Sequence, residues 1–312
     1  MSNTPTVFVV GATGSQGLNL CRQLRELNWN VRATVRNPEA PAARELAGLG
    51  VDTLVGDWDN QATLTAGIAT STMLFLNTVL NFADFDLERR QVAKILDIAK
   101  AAGVRHVVYS SSMLVDQIAT DGIPGFDPAS LVGMSLKSKE ASEARLRASG
   151  FETWTILRGA TFMGNFLGPN VQFYAPLAET GVWKAAFKEG DRLPLIDTND
   201  IASLAVAAFK DPSRFHEKEI PLAGDALTAG EILAVLGRAA GKELKYVALA
   251  DEEVAAQKDR NIAVMASLVS RSMVGLVSVE ECRSTLGIAF KTFEEFVWER
   301  EDLVRETYKL VP

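Results

Sequence analysis

The chain has 312 residues, of which 47% are hydrophobic and 23% are charged, a composition typical of a globular protein with an apolar core. Its length exceeds one average domain, so it can form one large α/β unit or two joined lobes. The net charge of −7 argues against a protein that binds nucleic acid by neutralising phosphates.

The first half of the chain alternates short β-rich runs with helical patterns. Six strands are predicted at residues 7–10, 31–36, 52–56, 72–77, 105–111 and 153–159. Helical periodicity or helix endings fall between them, at residues 18–28, 41–50, 64–68, 87–103 and 138–150. Strands that alternate with helices predict a parallel sheet with crossover helices on both faces. We therefore predict an α/β fold with a doubly wound parallel sheet, the Rossmann architecture, over residues 1–158.

After Arg158 the pattern changes. A long irregular, aromatic-rich segment at residues 159–177 is followed by a polar turn, LPLIDTND, and by a helix that starts near Asp200. KEIPLAG and LKYVALA are predicted as further strands, and the remainder is mostly helical. We assign residues 159–312 to a smaller C-terminal α+β lobe for a substrate or a partner, which can interleave with the Rossmann sheet.

The first strand runs into GATGSQG, a turn with three evenly spaced glycines. The first glycine permits a tight turn, the second lets the backbone approach phosphate oxygens, and the third lets the helix pack on the strand. Free N–H groups of residues 14–18 then meet a pyrophosphate at the positive end of the helix. A glycine-rich turn without a ligand is the less favoured alternative. We assign to dinucleotide binding Gly11, Thr13, Gly14, Ser15, Gln16 and Gly17.

The end of the second strand distinguishes the two pyridine nucleotides. An NAD site places Asp or Glu there to accept a hydrogen bond from the ribose, whereas this chain has Arg36 and Asn37. A guanidinium suits a 2′-phosphate, which a carboxylate would repel, so we predict NADP(H) as the preferred cofactor over NAD(H). The alternative for Arg36 is a solvated surface charge. Asp57, after the third strand, can accept from the adenine amino group or cap a helix.

Six motifs in this order make the chain resemble the NmrA-like family: GATGSQG, VRNP, LNT, YSSS, SKEASEARLRASG and ILRGATFMGNF. This family is an atypical branch of the short-chain dehydrogenases, close to the isoflavone-type reductases. The resemblance extends to the C-terminal KTFEEFVWE. It implies a Rossmann domain with a small substrate domain and a bound NADP. It also implies that Asn77 and Thr78 line the cofactor, and that its nicotinamide end is held by Ala160, Thr161 and Phe162.

Short-chain dehydrogenases usually place a tyrosine four residues before a lysine on one helix, so that both side chains point at the substrate. Lys139 lies on the corresponding helix, but Ser135 stands four residues before it. A lysine beside a bound cofactor can lose solvation, lower its pKa and donate a proton. It can also hydrogen-bond the ribose hydroxyls, or be an exposed helix lysine. We predict Lys139 as a cofactor-binding and catalytic residue.

Ser111 is the second predicted catalytic residue, because these enzymes often place a serine near the reacting carbonyl. Ser111 and Ser112 can instead bond the local backbone. Asp200 is interpreted as a helix N-cap. His106 and His216 show no metal-ligand spacing, so no metal site is expected.

Two functions from different classes stay open, and fold alone cannot choose between them. The first is an NADPH-dependent reductase of a small apolar carbonyl or conjugated double bond, which Lys139 and the aromatic-rich segment favour. The second is a non-catalytic NADP(H) redox sensor that acts through a protein partner, which the missing tyrosine favours. We prefer the reductase.

The expected partner is a small-molecule substrate or a regulatory protein, with no direct contact to nucleic acid and no membrane. Two lone cysteines, Cys21 and Cys282, indicate a reducing compartment without a disulfide framework. We therefore expect a cytoplasmic protein, or a nuclear one if it is a regulator. The sequence leaves the oligomeric state open.

Overall fold

The structure is a computed structural model that describes residues 4–79, 81, 83–118, 127–174, 176–258 and 260–312, without the side chain of residue 262. One residue of the predicted aromatic-rich segment, residue 175, lies outside this description. The chain forms two compact units. Unit 1 consists of Met1–Thr120, Gly133–Arg158 and Ile201–Ile220, and unit 2 of Asp121–Val132, Gly159–Asp200 and Pro221–Pro312.

The described residues form twelve strands: β1 Thr6–Val9, β2 Asn30–Val35, β3 Asp52–Val55, β4 Met73–Leu76, β5 His106–Ser112, β6 Thr153–Gly159, β7 Thr161–Phe162, β8 Val182–Ala185, β9 Leu193–Ile196, β10 Lys218–Leu222, β11 Asp225–Leu227 and β12 Lys245–Ala248.

They also form fifteen α-helices: α1 Ser15–Glu26, α2 Pro41–Gly48, α3 Gln61–Ile68, α4 Phe85–Ala101, α5 Val115–Ile118, α6 Leu131–Arg147, α7 Leu177–Thr180, α8 Thr198–Lys210, α9 Pro212–Phe215, α10 Ala229–Ala240, α11 Asp251–Gln257, α12 Ile262–Arg271, α13 Val279–Thr285, α14 Phe293–Trp298 and α15 Glu301–Thr307. Two short 3₁₀-helices are formed by Met163–Phe166 and Asn170–Tyr174. None of the described helices is both long enough and apolar enough to cross a membrane.

Seven strands form one sheet in the order β10-β6-β5-β4-β1-β2-β3. β1 pairs in parallel with β2 and β4, β2 with β3, and β4 with β5. The strand order reverses between β1 and β4, and ligands of such sheets bind outside the carboxyl ends of the strands at this point. The predicted doubly wound Rossmann fold is confirmed, and each of the six strands predicted in the first half lies within one residue of its predicted bounds.

The central strands are buried because helices cover the sheet. All of β4 and the last three residues of β1 are inaccessible to solvent or nearly so, as expected for strands of a parallel sheet. One face packs Phe8 and Leu74 of these strands against Leu64 of α3 and Ile95 of α4. This packing fixes the ends of β1 and β4 and the start of α4 relative to each other.

Unit 2 contains a three-stranded sheet, β11-β9-β7, and the parallel pair β12-β8. Its core includes Phe166 stacked on Tyr174, with ring centroids 4.8 Å apart, and Trp183 against the edge of both rings. The aromatic-rich segment therefore contributes to the core of this unit. The polar turn predicted from LPLIDTND is wrong in its first half, because LPLI forms β9 and all four residues are buried.

The N-cap interpretation of Asp200 is also wrong. Asp197 accepts the backbone N–H of Asn199 at 3.1 Å at the start of α8, and Asp200 lies inside the first turn. The carboxylate of Asp200 instead accepts the backbone N–H of Lys291 at 3.0 Å. Both aspartates have the spacing of a cap, so the sequence alone does not distinguish them. Burial raises the pKa of Asp200 to about 7 from its ordinary value of 3.8.

The Asp200→Asn variant is expected to lose a pH dependence of stability. The folded state favours the protonated carboxyl of Asp200. The stability that this protonated carboxyl contributes is therefore fully present below its ordinary pKa and is lost as the pH rises through about 7. Between about pH 4.5 and about pH 7.5, wild type should lose about 2 to 4 kcal/mol more unfolding free energy than the variant in urea titrations. Asp302→Asn, which removes an exposed carboxylate of the same unit, should behave as wild type. Equal losses for Asp200→Asn and wild type would contradict the raised pKa.

Candidate functional site

The glycine loop between β1 and α1 lies against the end of β4. Gly11 has a φ of +76°, and a Cβ atom there would lie 2.6 Å from the carbonyl oxygen of Asn77. A Cβ atom on Gly17 would lie 2.3 Å from the carbonyl oxygen of Gly11. Packing of the protein itself therefore requires glycine at both positions.

Gly14 is different, because the surrounding chain has room for a Cβ atom there. A Cβ atom would meet only the carbonyl oxygen of Gly11, at 3.4 Å, and the backbone is extended with a φ of −85°. Thr13, Gly14 and Ser15 are exposed. The lack of a side chain at Gly14 leaves open the space that a closely approaching phosphate group needs.

The start of α1 fits an anion in charge as well as in shape. Gly14 is the N-cap and supplies no side-chain hydrogen bond, and the first turn contains no acidic residue. The first N–H groups of a helix lack intrahelical acceptors and carry a partial positive charge. The side chain of Gln16 is directed away from this end, since it accepts the hydroxyl of Ser110 on β5 at 2.5 Å. The residues present therefore fit a pyrophosphate.

Three further predicted cofactor residues follow β2 and β3. Arg36 is exposed, and within the described parts of the chain its guanidinium makes no hydrogen bond or ion pair. Asn37 accepts the backbone N–H of Glu39 at 2.9 Å and closes the turn after β2. One carboxylate oxygen of Asp57 accepts two backbone N–H groups, each at 3.0 Å, just before α3. The cap of that helix is Asn60, so Asp57 shapes the preceding turn.

Lys139 on α6 forms a buried ion pair with Glu88 on α4. Its Nζ lies 2.6 Å from Oε1 of Glu88, whose side chain is fully buried, and 14% of the Lys139 side chain is exposed. Thr78, after β4, donates its hydroxyl to the same oxygen at 2.6 Å. Nζ also lies 5.7 Å from the ring centroid of Tyr109 on β5. The hydroxyl of Thr78 is thus occupied inside the protein, while Asn77 lies beside the glycine loop.

The ion pair determines the protonation of Lys139. Burial alone would lower the pKa of Lys139, but the neighbouring Tyr109 and Glu88 outweigh it and raise this pKa well above its ordinary value. The pKa of Tyr109 is itself raised by burial, so this phenol is neutral at neutral pH, and the carboxylate in contact with Lys139 is that of Glu88. The lowered lysine pKa that the sequence allowed is therefore contradicted, and so is the interpretation as an exposed surface lysine.

Ser111 is part of a second buried network. Its hydroxyl donates to Oε1 of Glu143 at 2.7 Å. Arg158 donates to both oxygens of this fully buried carboxylate, at 3.0 and 2.6 Å, and Arg147 donates to one of them at 2.7 Å. The hydroxyl of Ser112 donates a hydrogen bond to the adjacent backbone carbonyl of Met113 at 3.1 Å. The catalytic role of Ser111 stays a prediction, and its hydroxyl is already bound to an acid.

The predicted nicotinamide residues belong to unit 2 and are described within it. Ala160 and Thr161 are buried and Phe162 is half-buried. The N–H of Ala160 donates to the carbonyl of Leu222 at 3.0 Å, and the hydroxyl of Thr161 lies 3.5 Å from that of Ser270. Their role at the nicotinamide stays a prediction. No group of three or more His, Cys, Asp or Glu side chains suited to a metal occurs in the described ranges.

Sequence reasoning missed both buried carboxylates. Glu88 stands four and seven residues before the buried Val92 and Ile95, so it occupies the apolar face of α4. Glu143 stands three residues before the buried Leu146 on α6. An acidic residue in the apolar stripe of a helix is the signal that could have identified both, since such a carboxylate needs a buried partner.

Comparisons with known proteins agree with this architecture. The model of the NmrA-like family matches residues 3–297. An NAD(P)H azoreductase of Xenophilus azovorans is 32% identical over 249 residues, which cover 79% of this chain and 78% of the relative. The chain therefore belongs to the NmrA-like family, and the resemblance seen in the sequence is confirmed.

Two solved structures share the fold. The negative transcriptional regulator NmrA in complex with NAD has a TM-score of 0.73 at 23% identity, covering 98% of this chain and 96% of that one. The NADPH-dependent quinone oxidoreductase of Escherichia coli complexed with NADPH has a TM-score of 0.71 at 24% identity, covering 94% of this chain and 99% of that one.

Glu143→Gln is expected to destabilise the fold, because the buried Arg158 would lose its fully buried partner and keep only the more exposed carboxylates of Glu219 and Asp116. The loss of unfolding free energy should be at least about 2 kcal/mol, compared with about 1 kcal/mol for Ser111→Ala, which removes one hydrogen bond. Urea denaturation measures both. Glu140→Gln, on the same helix, is the control and should change stability by less than about 0.5 kcal/mol. A Glu143→Gln protein as stable as this control would show that the network is not structural.

Proposed function

We propose that this chain binds NAD(P)H and reduces small, largely apolar acceptors whose double bonds are conjugated. The observation that carries the proposal is the glycine loop: Gly14 has space for a Cβ atom, lacks one, and begins a helix that no side chain caps. The azoreductase, at 32% identity over most of both chains, supports a reductase of this kind.

The residues that would hold the cofactor lie at the carboxyl edge of the unit 1 sheet. The backbone of residues 13–17 would bind the pyrophosphate, and Asn77 lies beside this loop. Arg36, exposed at the end of β2, would bind the 2′-phosphate of NADP(H). The bound nicotinamide supplies a hydride.

The side chains of the site supply charge more readily than protons. Lys139 is held at 2.6 Å from the buried carboxylate of Glu88, so Lys139 acts as a fixed ammonium group that donates hydrogen bonds. Tyr109 is fully buried and does not replace the missing tyrosine of the short-chain dehydrogenases. The hydroxyl of Ser111 is directed to Glu143. Among the described residues of unit 1, we therefore identify no poised general acid at these strand ends.

This arrangement favours a particular class of acceptor. Reduction of an isolated carbonyl by hydride gives a localised alkoxide, which needs a proton donor at once. A quinone, an azo compound or an enone gives an anion whose charge is spread by conjugation, which a neighbouring ammonium stabilises and water can protonate. The azoreductase and the quinone oxidoreductase are named for acceptors of this class.

The absence of a tyrosine four residues before Lys139 favours a second candidate, a non-catalytic NADP(H) sensor that a partner protein reads. Here the ammonium of Lys139 would only hold the nucleotide. Such a protein would bind NADPH and NADP⁺ with different affinities and turn over neither.

Turnover with a panel of acceptors tests the proposal. The purified protein should oxidise NADPH with a quinone or an azo dye. The rate should exceed that with a saturated aldehyde by at least about tenfold, because of these acceptors only the aldehyde needs a general acid. Loss of absorbance of the reduced nicotinamide measures each rate. Absence of turnover with every acceptor, together with unequal binding of NADPH and NADP⁺, would replace the reductase by the sensor.

Gly14→Val is the matched negative control for this assay. The surrounding chain accommodates a Cβ atom at this position and the backbone is extended, so the unfolding free energy should fall by about 1 kcal/mol or less. Nucleotide affinity should fall at least about tenfold, because the new side chain occupies the phosphate position. A Cβ atom on Gly48, in α2, would have no neighbouring atom within 4 Å. Gly48→Val should therefore retain both the stability and the nucleotide affinity of wild type. Unchanged affinity in Gly14→Val would exclude this loop as the binding site.

Arg36→Ala tests the preference for the phosphorylated cofactor. The affinity for NADPH should fall about ten- to a hundredfold, since a charge-assisted contact is lost, while that for NADH should change less than about twofold. Calorimetric titration of both nucleotides gives the ratio. Arg305→Ala removes an exposed arginine of unit 2 and should alter neither affinity. Equal weakening of both nucleotides by Arg36→Ala would contradict the phosphate assignment.

A further inference from the structure

Glu88 is a fully buried acid whose charge is directed at one residue. Its Oε1 accepts Nζ of Lys139 and the hydroxyl of Thr78, each at 2.6 Å. Its Oε2 is buried and receives no hydrogen bond within the described part of the chain. A buried carboxylate with so few donors costs folding free energy unless its charge is compensated. Lys139 is the cation that compensates it.

We propose that Glu88 is a positioning residue, which fixes the ammonium group of Lys139 near the carboxyl end of β4 and beside Tyr109 of β5, and keeps it protonated. The proposal rests on the proposed function only in that Lys139 then meets the bound nucleotide or the acceptor. It assigns to Glu88 no contact with either of them.

Rigid elements hold Glu88 in place. It lies in the first turn of α4, whose start is capped by Asp84 through the backbone N–H of Asp86 at 3.1 Å. One turn further, Val92 is fully buried in the core beneath the sheet. Thr78 ties the carboxylate to the end of β4. A lysine side chain has four rotatable methylene groups and loses much entropy when fixed, so a rigid acceptor is what determines its position.

The other titratable groups around Lys139 do not take over this role. Tyr109 faces it from β5, and burial raises the pKa of this phenol, which therefore stays neutral. Glu143 lies one turn further along α6, but Arg158 and Arg147 neutralise it. Among the described residues, Glu88 is the carboxylate within ion-pair distance of Lys139. With Tyr109 neutral, Glu88 supplies the negative charge beside Lys139, so removal of that charge leaves burial to lower the pKa of Lys139.

Glu88→Gln tests this directly, because glutamine keeps the size and one oxygen acceptor and removes the charge. Labelling with a small amine-reactive reagent over a pH series, read by mass spectrometry, gives the midpoint of the Lys139 reaction. The midpoint should fall by at least about one pH unit relative to wild type, a tenfold change in the ionisation constant. Glu306→Gln removes the acid of the exposed Lys309–Glu306 pair and should leave the Lys139 midpoint unchanged. An unchanged midpoint in Glu88→Gln would overturn the proposal.

The second readout is the pH profile of kcat/KM for NADPH. Wild type should be flat with respect to Lys139 over the whole pH range in which it stays folded, and Glu88→Gln should lose activity at least about tenfold at the alkaline end of that range as the lysine deprotonates. The double variant Glu88→Gln, Lys139→Arg should restore a flat profile, because arginine stays charged. A flat profile in Glu88→Gln alone would overturn the role in the reaction.

Glu88→Asp keeps the proposal testable if the glutamine variant does not fold. Aspartate retains the charge but is shorter by one methylene, so the labelling midpoint should stay high while kcat falls at least about tenfold. Full kcat in Glu88→Asp would exclude a positioning role. If wild type itself turns over no acceptor, the proposed function fails, and the labelling midpoints still decide whether Glu88 holds the charge of Lys139.

Discussion

The close contact of the glycine loop with itself and with β4 is the constraint on which the candidate site depends. Gly17 approaches the carbonyl of Gly11, and Gly11 approaches the carbonyl of Asn77, at distances that exclude any side chain. These contacts bring the start of α1 to the point where the strand order of the sheet reverses. Gly14 alone is free of such contacts, so the same loop is rigid at its two ends and open in the middle, which is what a phosphate requires.

Buried carboxylates determine the state of the two predicted catalytic residues. Glu88 and Glu143 lie on the apolar faces of α4 and α6, where an unpaired charge would be costly. Each binds one of the two residues that the sequence suggested for catalysis. Glu88 forms an ion pair with Lys139, and Glu143 accepts a hydrogen bond from Ser111. The two acids thus convert a potential proton donor into a fixed cation and a potential hydroxyl donor into a bound one.

Much of unit 1 could be predicted from the sequence, because strands such as β1 and β4 are continuous apolar runs and several helices are followed within a few residues by a glycine. The short strand β9 could not, since LPLI contains a proline and precedes a polar run that indicates a turn; its pairing with β7 and β11 is a long-range contact. The glycine loop was predicted through its spacing. The pairing of Lys139 with Glu88 was not, because the two residues are 51 positions apart and come together only when α4 and α6 pack.

The missing tyrosine and the ion pair of Lys139 with Glu88 have to be considered together. The missing tyrosine removes the usual proton donor, and a lysine of lowered pKa would have been its simplest substitute. The ion pair excludes that substitute, because an ammonium group held by a buried carboxylate gives up its proton reluctantly. What it offers is positive charge close to the strand ends, in surroundings where charge is weakly screened. Such a group stabilises an anion without protonating it, and this is what the proposed reaction requires, the reduction of an acceptor whose product disperses its own charge.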